Sequence, residues 1–299
     1  MAGHDPSNGG HLGVKGLLAD ATRRLTDAGV PSPRNDAELL LAHVLGVART
    51  RLLLAPAPDA TRRDAFEALV ARRVAREPLQ HLIGVAWFRH VGLQVGPGVF
   101  IPRPETELVA GAAIDEARRV RTDLGRPVVV VDLCTGSGAI AASVADEVPG
   151  AEVHAVELDG EALAYAAVNL DGLGVELRAG DCADAFPELD GLVDVVVSNP
   201  PYVPLDATIR DPEVAEHDPA RALWGGVDGL DVVRTVVAAA ARLLRPGGLV
   251  VVEHSDAQGA SVPALLRSSP PGSTGWAEIA DHRDLAGRDR YCTARRADA

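Results

Sequence analysis

The chain has 299 residues, 47% of them apolar but only 3% aromatic, which sets the scale of one large or two ordinary domains with an aliphatic core. A net charge of −13 argues against a protein whose main task is to grip a nucleic-acid backbone. Three scattered cysteines, Cys134, Cys182 and Cys292, fit a reducing compartment and leave no disulfide framework, and the nine histidines form no zinc-type spacing, so no metal is expected.

Residues 1–10 read as a disordered Gly/Asn/Ser leader without a charged-then-apolar signal, and no apolar run reaches the roughly 18 residues of a membrane span. A soluble, cytoplasmic protein is therefore expected. From about 12 to 76 the periodicity is helical. Asn35-Asp36-Ala37-Glu38 opens one helix with a polar cap and a Glu three residues on, and Gly46 closes it. Phe66, Leu69, Val70 and Val74 form an apolar stripe on another helix, read as core, that must stop before Pro78. Residues 1–80 carry 11 Lys and Arg against 9 Asp and Glu, whereas the remainder carries 18 against 33, which suggests two regions with different partners.

Over 85–102 the pattern changes. Trp87-Phe88 and the alternating Val91, Leu93 and Val95 predict a β-hairpin, and Ile101-Pro102-Arg103-Pro104 follows as a rigid connector. Glu105 and Glu107 suit either a helix N-terminus or the mouth of a site. From 127 onward strands and helices alternate, with strands at 128–133, 152–157, 175–180, 193–198, 248–253, 276–280 and 289–295 and helices at 138–147, 160–170, 229–244 and 257–268. Such alternation implies an α/β fold, a mostly parallel sheet with helices on both faces.

Val128 to Leu133 runs into a Gly-rich turn, Cys134-Thr135-Gly136-Ser137-Gly138, and then a helix. Glycine there lets the backbone approach a ligand closely. A second strand ends in Glu157, placed for ribose hydroxyls, and a third in Gly180-Asp181, where a carboxylate meets an adenine edge or simply begins a turn. The run Gly136 to Ala141 also satisfies G-x-G-x-x-A, with Glu157 19 residues beyond Gly138, so an NAD-dependent oxidoreductase is a rival reading. Asp132, just before the turn, suits a nucleoside bearing a cationic sulfonium and an amino-acid tail better than a pyrophosphate, and so favours S-adenosylmethionine.

After the fourth of these strands comes Asn199-Pro200-Pro201-Tyr202. The Pro pair must end the strand, leaving a fixed loop where open α/β sheets bind ligands. Its chemistry suits delivery of a planar NH2 group to an electrophile. The Asn199 side-chain oxygen can accept one N–H, the Pro200 carbonyl the other, and Tyr202 offers a flat face. An ordinary Pro-rich turn is the plainer alternative.

The chain resembles the release-factor glutamine methyltransferases of the HemK/PrmC type, within the class I S-adenosylmethionine-dependent fold. The resemblance covers roughly residues 30–295. It rests on Pro31 with Asp36 to His43, Ile101 to Glu107, Thr135 to Ile140, Val197 to Tyr202, Ala222-Leu223 with Gly225-Gly226 and Asp228-Gly229-Leu230, and Asp281 with Gly287 to Arg290. It implies a doubly wound seven-stranded sheet. The implied domains are a helical substrate-recruiting domain at 1–80, a β-hairpin linker at 81–107 and a catalytic domain at 108–299. The implied substrate is the glutamine of the Gly-Gly-Gln loop of bacterial release factors. By motif position Cys134, Thr135, Gly136, Ser137 and Gly138 would wrap the methionine part of the cofactor and Glu157 would hold the ribose. Asp181 and Cys182 would flank the adenine, and Asn199, Pro200, Pro201 and Tyr202 would hold the glutamine amide, with Asn199 also facing the cofactor.

The chain departs from the family pattern at Cys134 (commonly Gly), at Asp218 (commonly Glu), at Glu253-His254-Ser255, and at Cys182, which stacks less well than an aromatic. Adenine-amino DNA methyltransferases use a similar loop, but the −15 balance of residues 81–299 counts against a DNA-gripping surface. Methylation of another protein's glutamine and a non-catalytic cofactor-binding scaffold are the remaining alternatives.

Overall fold

The computed structural model describes residues 13–268 and 275–298, so the leader expected at 1–10 lies outside the described residues. The chain divides into a helical unit, formed up to Gly84 together with Asp211–His217, and a sheet unit, formed by Val85–Arg210 and the residues from Asp218 onward. The hairpin therefore packs with the sheet instead of standing as a separate linker, and seven residues from the far half of the sequence join the helices.

In the helical unit, helices span Val14–Asp27, Pro33–Leu45, Ala60–Val74 and Leu79–Ile83. The second begins two residues before the expected Asn35, because Pro33 has its φ preset for a first helical turn, and it ends at Gly46 in the left-handed conformation. Asp59 caps the third, its carboxylate accepting the Arg62 N–H. Leu18, Leu25, Leu40, Leu41, Phe66 and Val70 are fully buried and make the core. Asp36 is a core residue. Its carboxylate accepts from Arg73 Nε at 2.9 Å, and Arg73 Nη2 reaches Glu213 at 2.8 Å, with the Arg73 side chain only 4% exposed.

The sheet unit begins with the hairpin β1 (Val85–Phe88) and β2 (Val91–Gln94), antiparallel and joined through Arg89 at positive φ. The principal sheet contains β3 (Val129–Leu133), β4 (Glu152–Glu157), β5 (Glu176–Ala179), β6 (Val193–Ser198), β7 (Leu244–Glu253), β8 (Trp276–Arg283) and β9 (Asp289–Arg296), in the order β5-β4-β3-β6-β7-β9-β8. The first five run parallel, and β9 is antiparallel to both β7 and β8. The valine-rich β3, buried from Val130 onward, and the wholly buried β6 are what a sheet covered on both faces requires. Alternate residues serve opposite cores. Val130, Val195 and Val251 pack beneath helices Thr106–Leu124 and Ala139–Glu147, while Val131, Val196 and Val250 pack against helix Asp231–Leu243.

This order carries the function. From β3 the chain winds outward through β4 and β5, then returns to β6 on the other side of β3. A crevice opens at such a reversal, outside the carboxyl ends of the strands. Leu133 pairs in register with Ser198, so the turn after β3 and the loop after β6 leave the sheet side by side.

Substituting Arg73→Met would leave the Asp36 carboxylate buried without its cation. Loss of one partner of a buried ion pair costs about 3–5 kcal/mol, and the expected result is a loss of that size in the helical unit's unfolding free energy by urea titration. A loss below about 1 kcal/mol would contradict this account of the helical core.

Candidate active site

The turn after β3 is built on a buried acid. Asp132, 1% exposed, accepts the Thr135 hydroxyl at 2.6 Å and the Ala141 N–H at 3.1 Å, both on Oδ2. These bonds tie the turn to the first turn of helix Ala139–Glu147. Asp132 Oδ1 is buried and has no hydrogen-bond partner. Burial pushes the carboxyl up to about 7, against the pull of the Thr135 and Ala141 bonds, and the charge of Glu157 adds to the rise.

Backbone conformation explains the residues of the turn. Cys134, Gly136 and Gly138 all have left-handed φ, of 59°, 59° and 83°. A Cβ on Gly138 would lie 3.0 Å from the Leu170 side chain, so glycine there also serves close helix packing. Cys134 occupies a conformation that costs a non-glycine residue about 1–3 kcal/mol. The departure from the family's glycine is thus real strain, held by the surrounding bonds. The neighbouring Cys182 thiol, followed by burial, pushes the Cys134 thiol well above the ordinary range. Two cysteines 48 positions apart in sequence meet at one wall of the crevice.

Glu157, the last residue of β4, braces the same turn. Its Oε2 accepts the Gly136 N–H and its Oε1 accepts the Asp159 N–H, each at 2.8 Å. A carboxylate oxygen has lone pairs to spare, so both oxygens retain capacity for a diol's hydroxyls. Thr135 and Ser137 are buried, and the Ser137 carbonyl accepts from Asn169 Nδ2 at 2.9 Å. Asp181 is exposed and its Oδ1 accepts the Ala183 N–H, which makes it a turn former as the chain is folded, whereas Cys182 is 6% exposed. The donor set therefore fits a nucleoside with a cationic, amino-bearing tail. It supplies a diol acceptor at Glu157, a buried orphaned carboxylate oxygen at Asp132 and a backbone turn between them.

The loop after β6 is fixed from below. Asn199 Nδ2 donates to Thr106 Oγ1 at 3.2 Å, and the Tyr202 hydroxyl donates to Glu253 Oε1 at 3.2 Å. Glu253, the last residue of β7, is 1% exposed. Burial raises its pKa to about 7, held back by the Thr106 hydroxyl, the Arg290 charge and the Tyr202 hydroxyl. The Tyr202 phenol is also shifted up, first by burial and then by the Glu253 charge. Among the described residues, no hydrogen bond is directed at the Asn199 side-chain oxygen or the Pro200 carbonyl. Two neighbouring acceptors thus remain open.

The loop's exit is clamped as well. Gln258 Nε2 donates to the Tyr202 carbonyl at 3.1 Å and to the Gly229 carbonyl at 3.3 Å, while its Oε1 accepts the Ser255 N–H. A Cβ on Gly225 would lie 2.6 Å from the Pro201 carbonyl, so the glycine-rich 225–229 segment is the only kind that packs this close. Arg103 pairs with Asp218 and lies 4.8 Å over the Phe100 ring. Glu107 accepts the Arg89 N–H, which ties it to the hairpin turn and away from the mouth of the site.

Thr106 and Gln258 are the residues that motif reading overlooks. Ser255-x-x-Gln258 is a readable capping-box spacing, and both of its reciprocal bonds form. Thr106 lies within the Ile101 to Glu107 motif, but nothing local gives it a role, since its partner lies 93 residues away. Among the described residues, no group of three or more His, Cys, Asp or Glu side chains could hold a metal, and no helix is long and apolar enough to cross a membrane.

The model of the PrmC N-terminal domain matches residues 16–84, and that of the methyltransferase small domain matches residues 118–212. The chain is 55% identical over 281 residues to a release factor glutamine methyltransferase of Streptomyces coelicolor, covering 94% of this chain and 97% of that one. It is 50% identical over 286 residues to a protein of the same name from Mycolicibacterium smegmatis, covering 95% and 98%. It is also 44% identical over 258 residues to a 4-amino-L-phenylalanine/4-methylamino-L-phenylalanine methyltransferase of Streptomyces pristinaespiralis, covering 84% and 86%.

Asp132 supplies a pH test of the site. Its folded pKa, near 7, lies above its ordinary value of 3.8, so between those limits the folded state binds the extra proton and stability falls as pH rises. Asp132→Asn removes that dependence. Its stability relative to the unsubstituted protein, by thermal melting without cofactor, should be higher at pH 8 than at pH 5. An equal difference at both values would show that Asp132 is not held protonated in the fold.

Proposed function

The chain belongs to the release factor glutamine methyltransferase family, and on that premise we propose how its residues hold and methylate the side-chain amide of a release factor's Gly-Gly-Gln glutamine. The enzyme is an S-adenosylmethionine-dependent protein-glutamine methyltransferase of class I fold. One observation carries the residue assignment: the two open acceptors, Asn199 Oδ1 and the Pro200 carbonyl, stand on a proline-fixed loop beside the nucleoside crevice.

S-adenosylmethionine supplies an electrophilic methyl group. Cys134 to Gly138 are assigned to its methionine portion, Asp132 to its positive charge, Glu157 to the ribose diol, and Asp181 with Cys182 to the adenine side. The chain's own task is to make an amide nitrogen nucleophilic. That nitrogen's lone pair is delocalised into the carbonyl, so the free group attacks poorly. Asn199 and Pro200 accept its two N–H bonds and hold the nitrogen in a geometry from which it can pyramidalise. Positioning of this kind can remove a large part of a barrier. The same two oxygens face the positive charge that builds on nitrogen, and because they are fixed in advance they need no reorganisation. Tyr202 packs its ring against the amide plane and Pro201 keeps the loop rigid. After N-alkylation the nitrogen is strongly acidic and releases a proton to water, so no strong base is required.

The helical unit is assigned to gripping the body of the release factor. With the three acids of Asp211–His217 its charge balance is −1, against −12 for the sheet unit, which gives the two units different surfaces to offer. A cytoplasmic site of action, where release factors work, and the absence of nucleic-acid and membrane partners complete the reading. The relative from Streptomyces pristinaespiralis is named for a free aromatic amine, another planar NH2 group, which makes that amine the sharpest control.

Incubation of the purified protein with S-adenosylmethionine and a release factor should add one methyl to the Gly-Gly-Gln glutamine, read by peptide mass spectrometry, with none on DNA or on 4-amino-L-phenylalanine. Asn199→Ala should bind cofactor within a few-fold of the unsubstituted protein yet lose about 10²–10³ in kcat. Methyl found on the free amine or on DNA alone would overturn the substrate. Near-normal kcat in Asn199→Ala would overturn the assigned role.

A further inference from the structure

A side-chain amide can be turned either way, and Asn199 serves a glutamine NH2 only if its oxygen faces outward. Turned over, it would set one NH2 group against another. Something must fix that choice, and neither proline of the loop can do so.

The bonds below the loop set a direction. Asn199 Nδ2 donates to Thr106 Oγ1, so the Thr106 proton must point elsewhere. It has a recipient in Glu253, whose Oε1 accepts the Tyr202 hydroxyl, whose buried Oε2 has no other hydrogen-bond partner, and whose pKa the Thr106 hydroxyl lowers as a donor beside it does. Thr106 is 3% exposed and Glu253 1%, which keeps water from competing for these bonds. With its proton committed to Glu253, Thr106 offers Asn199 only a lone pair. A turned-over Asn199 would then bring two oxygens together with no proton between them, at the cost of an unsatisfied buried acceptor.

We propose that Thr106 and Glu253 are positioning residues for the methyl-transfer reaction, with Glu253 orienting the Thr106 hydroxyl and Thr106 locking the Asn199 amide with its oxygen toward the substrate. The proposal rests on the assignment of Asn199 as an acceptor for the glutamine amide. Tyr202 shares the same carboxylate, so both ends of the four-residue loop are anchored to one buried group at the end of β7. Thr106 opens helix Thr106–Leu124 directly after the Ile101–Glu105 connector, and this gives that connector a catalytic purpose beyond joining elements.

The test is a double-mutant cycle on the full-length protein with a release factor as substrate. Thr106→Val keeps the shape and removes the hydroxyl. It should lower kcat by about 10- to 100-fold while the cofactor dissociation constant, by direct titration, stays within a few-fold. Thr106→Ser should recover most of that loss. In an Asn199→Ala background Thr106→Val should cost almost nothing more, because a residue that acts through Asn199 has nothing left to orient. Full additivity of the two substitutions, or normal kcat in Thr106→Val, would overturn the proposal. Should Thr106→Val fail to fold, Glu253→Gln in the same cycle reads the same coupling with the same two outcomes. Turnover of the unsubstituted protein on the release factor checks the underlying assignment separately, so a loss confined to the variants bears on positioning alone.

Discussion

The pairing of β3 with β6 is the constraint on which the rest depends. Leu133 and Ser198 sit opposite each other, and the Ser198 hydroxyl donates to the Leu133 carbonyl at 2.6 Å. Two parallel strands therefore stop level with one another, and whatever follows each must share one crevice. After β3 comes a turn whose left-handed residues bring backbone close to a ligand. After β6 comes a loop in which two prolines forbid further strand pairing. The reversal of strand order turns two sequence-distant motifs into neighbours.

Polarity is a second layer on this geometry. Two acids lie buried beneath the crevice, Asp132 under the glycine turn and Glu253 under the proline loop, both raised to about 7 mainly by burial. Each gives up stability to hold a local framework: Asp132 binds Thr135 and the helix start, and Glu253 binds Tyr202. Functional sites commonly carry such perturbed groups, since catalysis asks for oriented charge more than for low energy. Cys134 adds backbone strain in the same place.

Much of this was legible in the sequence, for definite reasons. Valine-rich buried strands and polar turns gave the β/α alternation, and Asn199 to Tyr202 stood out because two prolines after a strand have few other uses. The limits were just as physical. The local pattern of Asn35 to Glu38 does not disclose that Asp36 is buried against Arg73, 37 residues on. The membership of Asp211–His217 in the helical unit depends on ion pairs made by Arg73 and Arg76 to Glu213, again remote in sequence. The role of Thr106 and the meeting of Cys134 with Cys182 escaped for the same reason. Motifs mark residues that touch ligands, whereas the residues that aim them are found only once the fold brings them together.

The central claim is that two fixed oxygens receive the two N–H bonds of one amide. A crystal structure of the protein with S-adenosylhomocysteine and a release factor bearing the unmethylated Gly-Gly-Gln loop measures this directly. The account predicts the glutamine nitrogen within hydrogen-bond distance, about 2.7–3.2 Å, of both Asn199 Oδ1 and the Pro200 carbonyl. A glutamine whose carbonyl oxygen faces Asn199, or whose nitrogen touches neither group, would contradict it.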